Sequence, residues 1–235
     1  MSKGIFLVGG YAQVEGHTTS LRDTMNTLEI IAGKYNLDLT QRSPIEIPNV
    51  GRNGLAVLFN ELDFKVGVEV GTEQGLYAEV LCKSNPDALL YCIDPWKHYT
   101  GYRDHVNQEK LDNFYEITKE RVAKYNCRLM REFSLDAVTT FGSGSIDFVY
   151  IDGNHELPFV MNDLIEWSKC VKIGGIVAGH DYRENKSLDT HNHVIHAVNA
   201  YTGAYRISPW FLLGTKAIVP GQARDRPRSW MWVKR

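Results

Sequence analysis

Residues 67–75 read GVEVGTEQG, an apolar run that ends in a glycine turn and carries an acid, Glu69, just before it. A strand that runs into a glycine turn ahead of a helix is a common cradle for phosphate. A carboxylate at that point would repel one. The spacing is G-x-x-x-G rather than the G-x-G-x-x-G of dinucleotide binders. The turn also lacks the lysine–serine or lysine–threonine pair of a phosphate-binding loop. A ligand with positive charge in place of the phosphates suits it better.

Outward from this turn the chain becomes regular. KVGVEVG (65–71), LLYCID (89–94), RLMREF (128–133), IDFVYID (146–152) and GGIVAGHD (174–181) read as buried strands. Helical patterns separate them: LYAEVLCKS (76–84), a long helix marked by Leu111, Phe114, Tyr115, Thr118 and Val122, LDAVTTF (135–141), and a helix lined by Val160, Leu164, Trp167 and Val171. A last helix is expected around His193–Tyr201. Strands alternating with helices imply right-handed crossovers and a parallel sheet. After residue 205 the alternation stops, and YRIS, WFLLG and SWMWV read as antiparallel strands at a sheet edge. The expected fold is α/β, a Rossmann-like doubly wound sheet, mostly parallel with an antiparallel edge strand and helices on both faces.

Residues 1–49 read as an N-terminal extension, with a short strand at IFLV and a helix carrying Leu21, Met25, Leu28 and Ile31 behind a capping box at Ser20 and Asp23. A lid or a dimer contact is the role expected of it. QRSPIEIPNVGRNG (41–54) reads as a connector. Residues 50–235 hold the main domain, opened by a helix with Leu55, Leu58, Phe59 and Leu62 on one face.

The second strand ends in Asp94, 19 residues after Gly75. An acid there can accept from both hydroxyls of a ribose. A nucleoside that lacks a diphosphate and bears positive charge fits both acids, and S-adenosylmethionine (SAM) is such a compound. In these features residues 65–235 resemble the class I SAM-dependent methyltransferases. The resemblance implies that Glu69 and the loop residues Gly71, Thr72 and Gly75 hold the methionine end, and that Asp94 holds the ribose. It places the adenine-side contact near Glu132–Ser134. Trp96 and Tyr99 stand where they would face adenine, wall the acceptor pocket, or simply pack.

YIDGNH (150–155) and GHDY (179–182) close two further strands on the same rim as the glycine turn. Asp152 and Asp181 are therefore expected to meet there, and two carboxylates repel unless a cation or a proton lies between them. The run from Tyr150 to Tyr182 is similar to the macrocin O-methyltransferase and cephalosporin hydroxylase branch (methyltransferase family 24 type) and, more distantly, to the catechol and caffeoyl-CoA O-methyltransferases. This implies a divalent cation, Mg²⁺ in the relatives, held by Asp152, Asp181 and His180. His180–Asp181 stands where an Asp–Asp or Asp–Asn pair is usual, and histidine favours softer ions. His155, three residues after Asp152, falls where the catechol-type enzymes place the base that deprotonates the acceptor hydroxyl. With Asp152 and Asp181 it makes up the expected catalytic set. Histidine titrates near neutrality and suits that work. His191, His193 and His196 read as a solvated group.

The charge balance, 26 basic against 28 acidic residues in 235, leaves a net charge of -2 and argues against nucleic acid or an anionic membrane as partner. The basic tail QARDRPRSWMWVKR reads as a terminal strand behind a solvated loop. Cys82, Cys92, Cys127 and Cys170 form no C-x-x-C pair, so free thiols and a cytoplasmic location are expected. The expected function is methyl transfer from SAM to a hydroxyl oxygen of a small-molecule acceptor, in a chain that could form homo-oligomers. A metal-dependent hydrolase or oxygenase on the same scaffold, or a SAM-binding protein without catalysis, are the alternatives.

Overall fold

The structure, a computed structural model, describes residues 6–8, 11–14, 17–20, 26–99, 107–184 and 191–235. Two compact units divide the chain, Met1–Asp38 and Leu39–Arg235. In the first, strands β1 (Phe6–Val8), β2 (Tyr11–Val14) and β3 (His17–Ser20) form an antiparallel sheet, and helix α1 (Thr27–Tyr35) follows. The capping box of α1 lies at Asn26 and Glu29. Ser20, read as a helix cap, instead ends β3. Asp23, Leu21 and Met25 lie outside the described residues.

The second unit opens with β4 (Ile45–Ile47) and α2 (Arg52–Glu61). It continues as β5 (Val66–Val70), α3 (Leu76–Ser84), β6 (Leu89–Ile93), α4 (Gln108–Val122), β7 (Cys127–Met130) and the short α5 (Ser134–Ala137). Then come β8 (Ile146–Ile151), α6 (Leu157–Cys170), β9 (Val171–Tyr182), α7 (Val194–Ala204), β10 (Phe211–Leu213) and β11 (Arg228–Val233). One sheet holds eight of these strands in the order β4-β10-β11-β9-β8-β5-β6-β7. Only β11 runs against its neighbours β9 and β10. The doubly wound α/β fold is as the alternation of strands and helices predicts.

Three local readings change. Residues 45–47, inside the expected connector, pair in parallel with β10 and form an edge of the sheet. Ile45 and Ile47 are buried with Glu46 between them, a period-2 signal that is only three residues long and is hidden between Pro44 and Pro48. YRIS (205–208) is not a strand: Tyr205 caps α7, and Arg206 turns the chain at φ 53°. RLMREF is strand only to Met130.

Alternation along β8 shows how both faces are covered. Phe148 stacks on Phe59 with ring centres 3.9 Å apart, and Tyr150 packs on Tyr77, both toward α2 and α3. Val149 and Ile151 join Val160, Leu164, Trp167 and Val198 in the core under α6 and α7. Gly67 makes room for the Phe148 ring, whose Cζ would lie 2.0 Å from a Cβ there. Asp147 ties the strand beginnings together. Its Oδ2 accepts from the N–H groups of Lys65 and Val66, each at 2.7 Å, and its other oxygen pairs with Lys172. Asp147→Ala should orphan two backbone donors and lower the unfolding free energy by about 2–4 kcal/mol in urea titrations. Loss of the exposed partner in Lys172→Ala should cost less than about 1 kcal/mol.

Candidate active site

The order of the strands reverses at β5, with β6 and β7 on one side and β8 and β9 on the other. Ligands of such sheets sit at this switch, beyond the carboxyl ends of the strands. A cleft of about 560 Å³ lies there, a size suited to a small molecule. Glu69, Gly71, Thr72, Asp94, Ser134, Asp152 and His155 all line it.

The glycine turn is built to bring two strand ends together. Gly71 has φ 89°, and a Cβ there would meet the Asp152 carbonyl oxygen at 2.2 Å. Its N–H donates to the Ile93 carbonyl at 2.8 Å. Gly75 (φ 71°) opens α3. Helix α4 grips the turn from behind: Thr118 Oγ1 donates to the Glu73 carbonyl at 2.8 Å, and Arg121 Nε to the Gln74 carbonyl at 2.9 Å. Asp94 accepts from the Glu73 N–H at Oδ2 (2.9 Å) and from the Trp96 N–H at Oδ1 (2.8 Å).

Trp96 is placed differently from an adenine-facing residue. It is fully buried, does not line the cleft, and donates its indole N–H to the Glu73 carbonyl at 2.7 Å. It braces the turn from below, against Leu111, Phe114 and Tyr115.

Glu69 is 2% exposed, and its Oε2 has no hydrogen-bond partner. Burial pushes its carboxyl up to about 8, with the charges of Asp152 and Asp94 adding to the shift. A buried acid with an orphaned oxygen in a cleft is a receptor for a cation or a donor.

Across the turn, Asp152 and Asp181 do meet, and the groups between them are the protein's own. His155 Nε2 lies 3.4 Å from Asp152 Oδ1 and 3.4 Å from Asp181 Oδ2. Arg52 Nη1 is 3.7 Å from Asp152 Oδ2. His180 Nδ1 is 3.0 Å from Asp181 Oδ2, and Asn192 Nδ2 donates to Asp181 Oδ1 at 3.1 Å. Burial opposes the charge of Asp181, but the His180 hydrogen bond and the charges of His155, His180 and Arg183 outweigh it and hold that carboxyl below its ordinary value. The side chains of Asp152, His155 and Asp181 bring donor atoms within 4.8 Å of one another. That triad uses His155 where the sequence reading put His180.

Several neighbours of this centre escape a reading of the sequence. Arg52 lies in the expected connector and stacks over Tyr77 at 5.3 Å. His193, taken as solvated, clamps the loop of His155: its N–H donates to the His155 carbonyl at 2.8 Å, and its Nδ1 accepts from the Leu157 N–H at 3.2 Å. Asp163 shares the buried face of α6 with Val160 and Trp167, and an acid on an apolar stripe is the signal that marks it.

Residues 68–182, which contain every residue of the turn and both carboxylate clusters, match the family model described as a methyltransferase domain, Methyltransf_24. Over that segment the chain carries a methyltransferase domain of this description. By fold the methyltransferase is similar to the O-methyltransferase TomG from Streptomyces achromogenes, solved in complex with SAM, with TM-score 0.55 and 17% identity over 86% of each chain. It is likewise similar to an O-methyltransferase from Bacillus cereus in complex with SAH, with TM-score 0.55 and 14% identity over 89% of each chain. No curated protein matches it in sequence. Among the described residues, no helix of the methyltransferase is long and apolar enough to cross a membrane.

The Glu69 carboxyl of the methyltransferase also sets a pH dependence. Its folded value, about 8, lies above the ordinary 4.5. Its contribution to stability is therefore complete below pH 4.5 and is lost as pH rises through 8. In ligand-free protein, the stability of Glu69→Gln relative to wild type should rise by about 2–4 kcal/mol between pH 5 and 8 in denaturant titrations. A difference that stays flat would contradict the burial of this charge.

Proposed function

We propose that this methyltransferase transfers the methyl group of SAM to a hydroxyl oxygen of a small molecule. The observation that carries the reading is the orphaned, buried Glu69 oxygen in the same cleft as Asp94, Asp152 and His155, the last two of which meet Asp181. Glu69 and the backbone around Gly71 and Thr72 hold the cationic methionine end, with Gly75 setting the turn. Asp94, on the cleft wall, takes the ribose hydroxyls, and Ser134 lies on the adenine side. These assignments put the sulfonium near the meeting point of β5 and β8, beside Asp152.

His155 is the base in this reading. Its imidazole lines the cleft, and its Nε2 lies 3.4 Å from each carboxylate. The acceptor oxygen gives its proton to Nε2 and attacks the methyl carbon. The carbon–sulfur bond breaks with its electron pair going to sulfur, and S-adenosylhomocysteine (SAH) leaves. Asp152 and Asp181 stabilise the imidazolium that forms. The reaction is an in-line displacement, so rate depends on how closely the cleft fixes oxygen, carbon and sulfur. A small acceptor fits a cleft of this size, and the near-neutral net charge of the chain does not favour nucleic acid.

The same triad supports a second reading. Two carboxylates and an imidazole with donor atoms within 4.8 Å fit a divalent ion, and the mixed oxygen and nitrogen set favours Mn²⁺ or Zn²⁺ over Mg²⁺. Bound there, such an ion would make the acceptor hydroxyl more acidic.

Asp94→Ala should weaken SAH binding at least tenfold by calorimetry while the circular dichroism spectrum is kept; unchanged affinity removes Asp94 from the donor site. His155→Ala should lower turnover by about 10²–10⁴ with SAH affinity retained. Turnover that survives exhaustive chelation leaves the proton to His155. Turnover that vanishes and returns with Mn²⁺ or Zn²⁺ assigns the triad to a metal.

A further inference from the structure

One acid in the cleft has no part in that reaction. Asp163, on α6, is 4% exposed and lines the cleft at the end formed by Phe133, Ser134, Leu135 and Gly153. Its Oδ1 accepts from Ser134 Oγ at 2.5 Å, and Ser134 Oγ in turn accepts from Trp167 Nε1 at 2.8 Å. That chain fixes the carboxyl and commits one oxygen. Among the described residues the other oxygen, Oδ2, makes no hydrogen bond. It lies 3.9 Å from the position a Cβ would take on Gly153, so the missing side chain leaves it uncovered. Burial pushes this carboxyl up to about 7. An acid held so deeply with one oxygen uncommitted is a standing cost unless a ligand donates to it.

The donor assignment says which part of a ligand arrives there. Glu69 takes the cationic end and Asp94 the ribose, so the base lies beyond Asp94, toward the loop that follows β7. Leu135, beside Ser134, presents only carbon at that end. We propose that Asp163 is the specificity-determining residue for the nucleobase: its Oδ2 accepts a hydrogen bond from the exocyclic amine of adenine and rejects a purine with an oxygen at that position. This rests on the donor reading above. Ser134 and Trp167 act as positioning residues that hold the carboxyl in place, and the absence of a side chain at Gly153 opens the path.

The proposal separates two ligands that differ in a single group, SAH and S-inosylhomocysteine, whose base carries a carbonyl oxygen in place of the amine. Calorimetric titration of the wild-type protein should show SAH bound at least tenfold more tightly. In Asp163→Asn the side chain can donate as well as accept, and the ratio should fall toward one, chiefly by a gain for S-inosylhomocysteine. Asp163→Leu should weaken SAH at least tenfold without that gain. Asn keeps the volume of Asp, so the Asn protein still decides the matter where the Leu protein fails to fold. Equal binding of the two ligands by wild type, or a preference unchanged in Asp163→Asn, overturns the role of Asp163 and leaves the donor site standing. Failure of wild type to bind either ligand overturns the donor site itself.

Discussion

A carboxyl group sealed at the end of β5, with one oxygen left without a partner, governs the chemistry of this cleft. Glu69 cannot ionise cheaply in that position, and once ionised it would repel a phosphate. What relieves it is a ligand that brings its own positive charge or its own donors. The rest of the site follows from that constraint. The turn after Glu69 must come close enough to Asp152 for donor and acceptor to meet, and Gly71 permits this because any side chain there would strike the Asp152 carbonyl. The turn must also hold its shape without a bound phosphate. Trp96, Thr118 and Arg121 supply that support from below and behind.

The far side of the cleft solves a different electrostatic problem. Two carboxylates from adjacent strands, Asp152 and Asp181, approach one imidazole, and Arg52, His180, Arg183 and Asn192 surround the pair. In the proposed reaction, a proton taken by His155 would be received by two anions already oriented for it. His193 fixes the loop that carries His155 by bonding both its carbonyl and the start of α6. In the proposed reaction the two ends of the cleft divide the work: one would hold a cation, and the other would accept a proton.

Much of this was legible in the sequence because the residues concerned sit at strand ends. VEVG, YCID and YIDGNH each show an apolar run stopping at polar residues, and parallel topology places all such stops on one rim. Residues whose roles depend on contacts across the chain were not legible. Arg52 and β4 lie in a segment rich in proline and glycine, where periodicity is too short to read. Trp96 follows Asp94 closely enough to suggest a ligand contact, but φ 40° at that residue turns its ring beneath the loop. Asp163 did leave a trace, an acid on the apolar face of a helix, but only the folded chain shows that it lines the cleft beside Ser134.

The most direct measurement is the number of protons exchanged when SAH binds near neutral pH, obtained from calorimetric heats in buffers of different ionisation enthalpy. A ligand ammonium drawn to Glu69 should drive its carboxyl from the protonated to the charged form, so binding at pH 7 should release close to one proton, and Glu69→Gln should abolish that release. Binding with no proton released, or with the same release in the glutamine variant, would contradict the claim that this buried acid selects the donor.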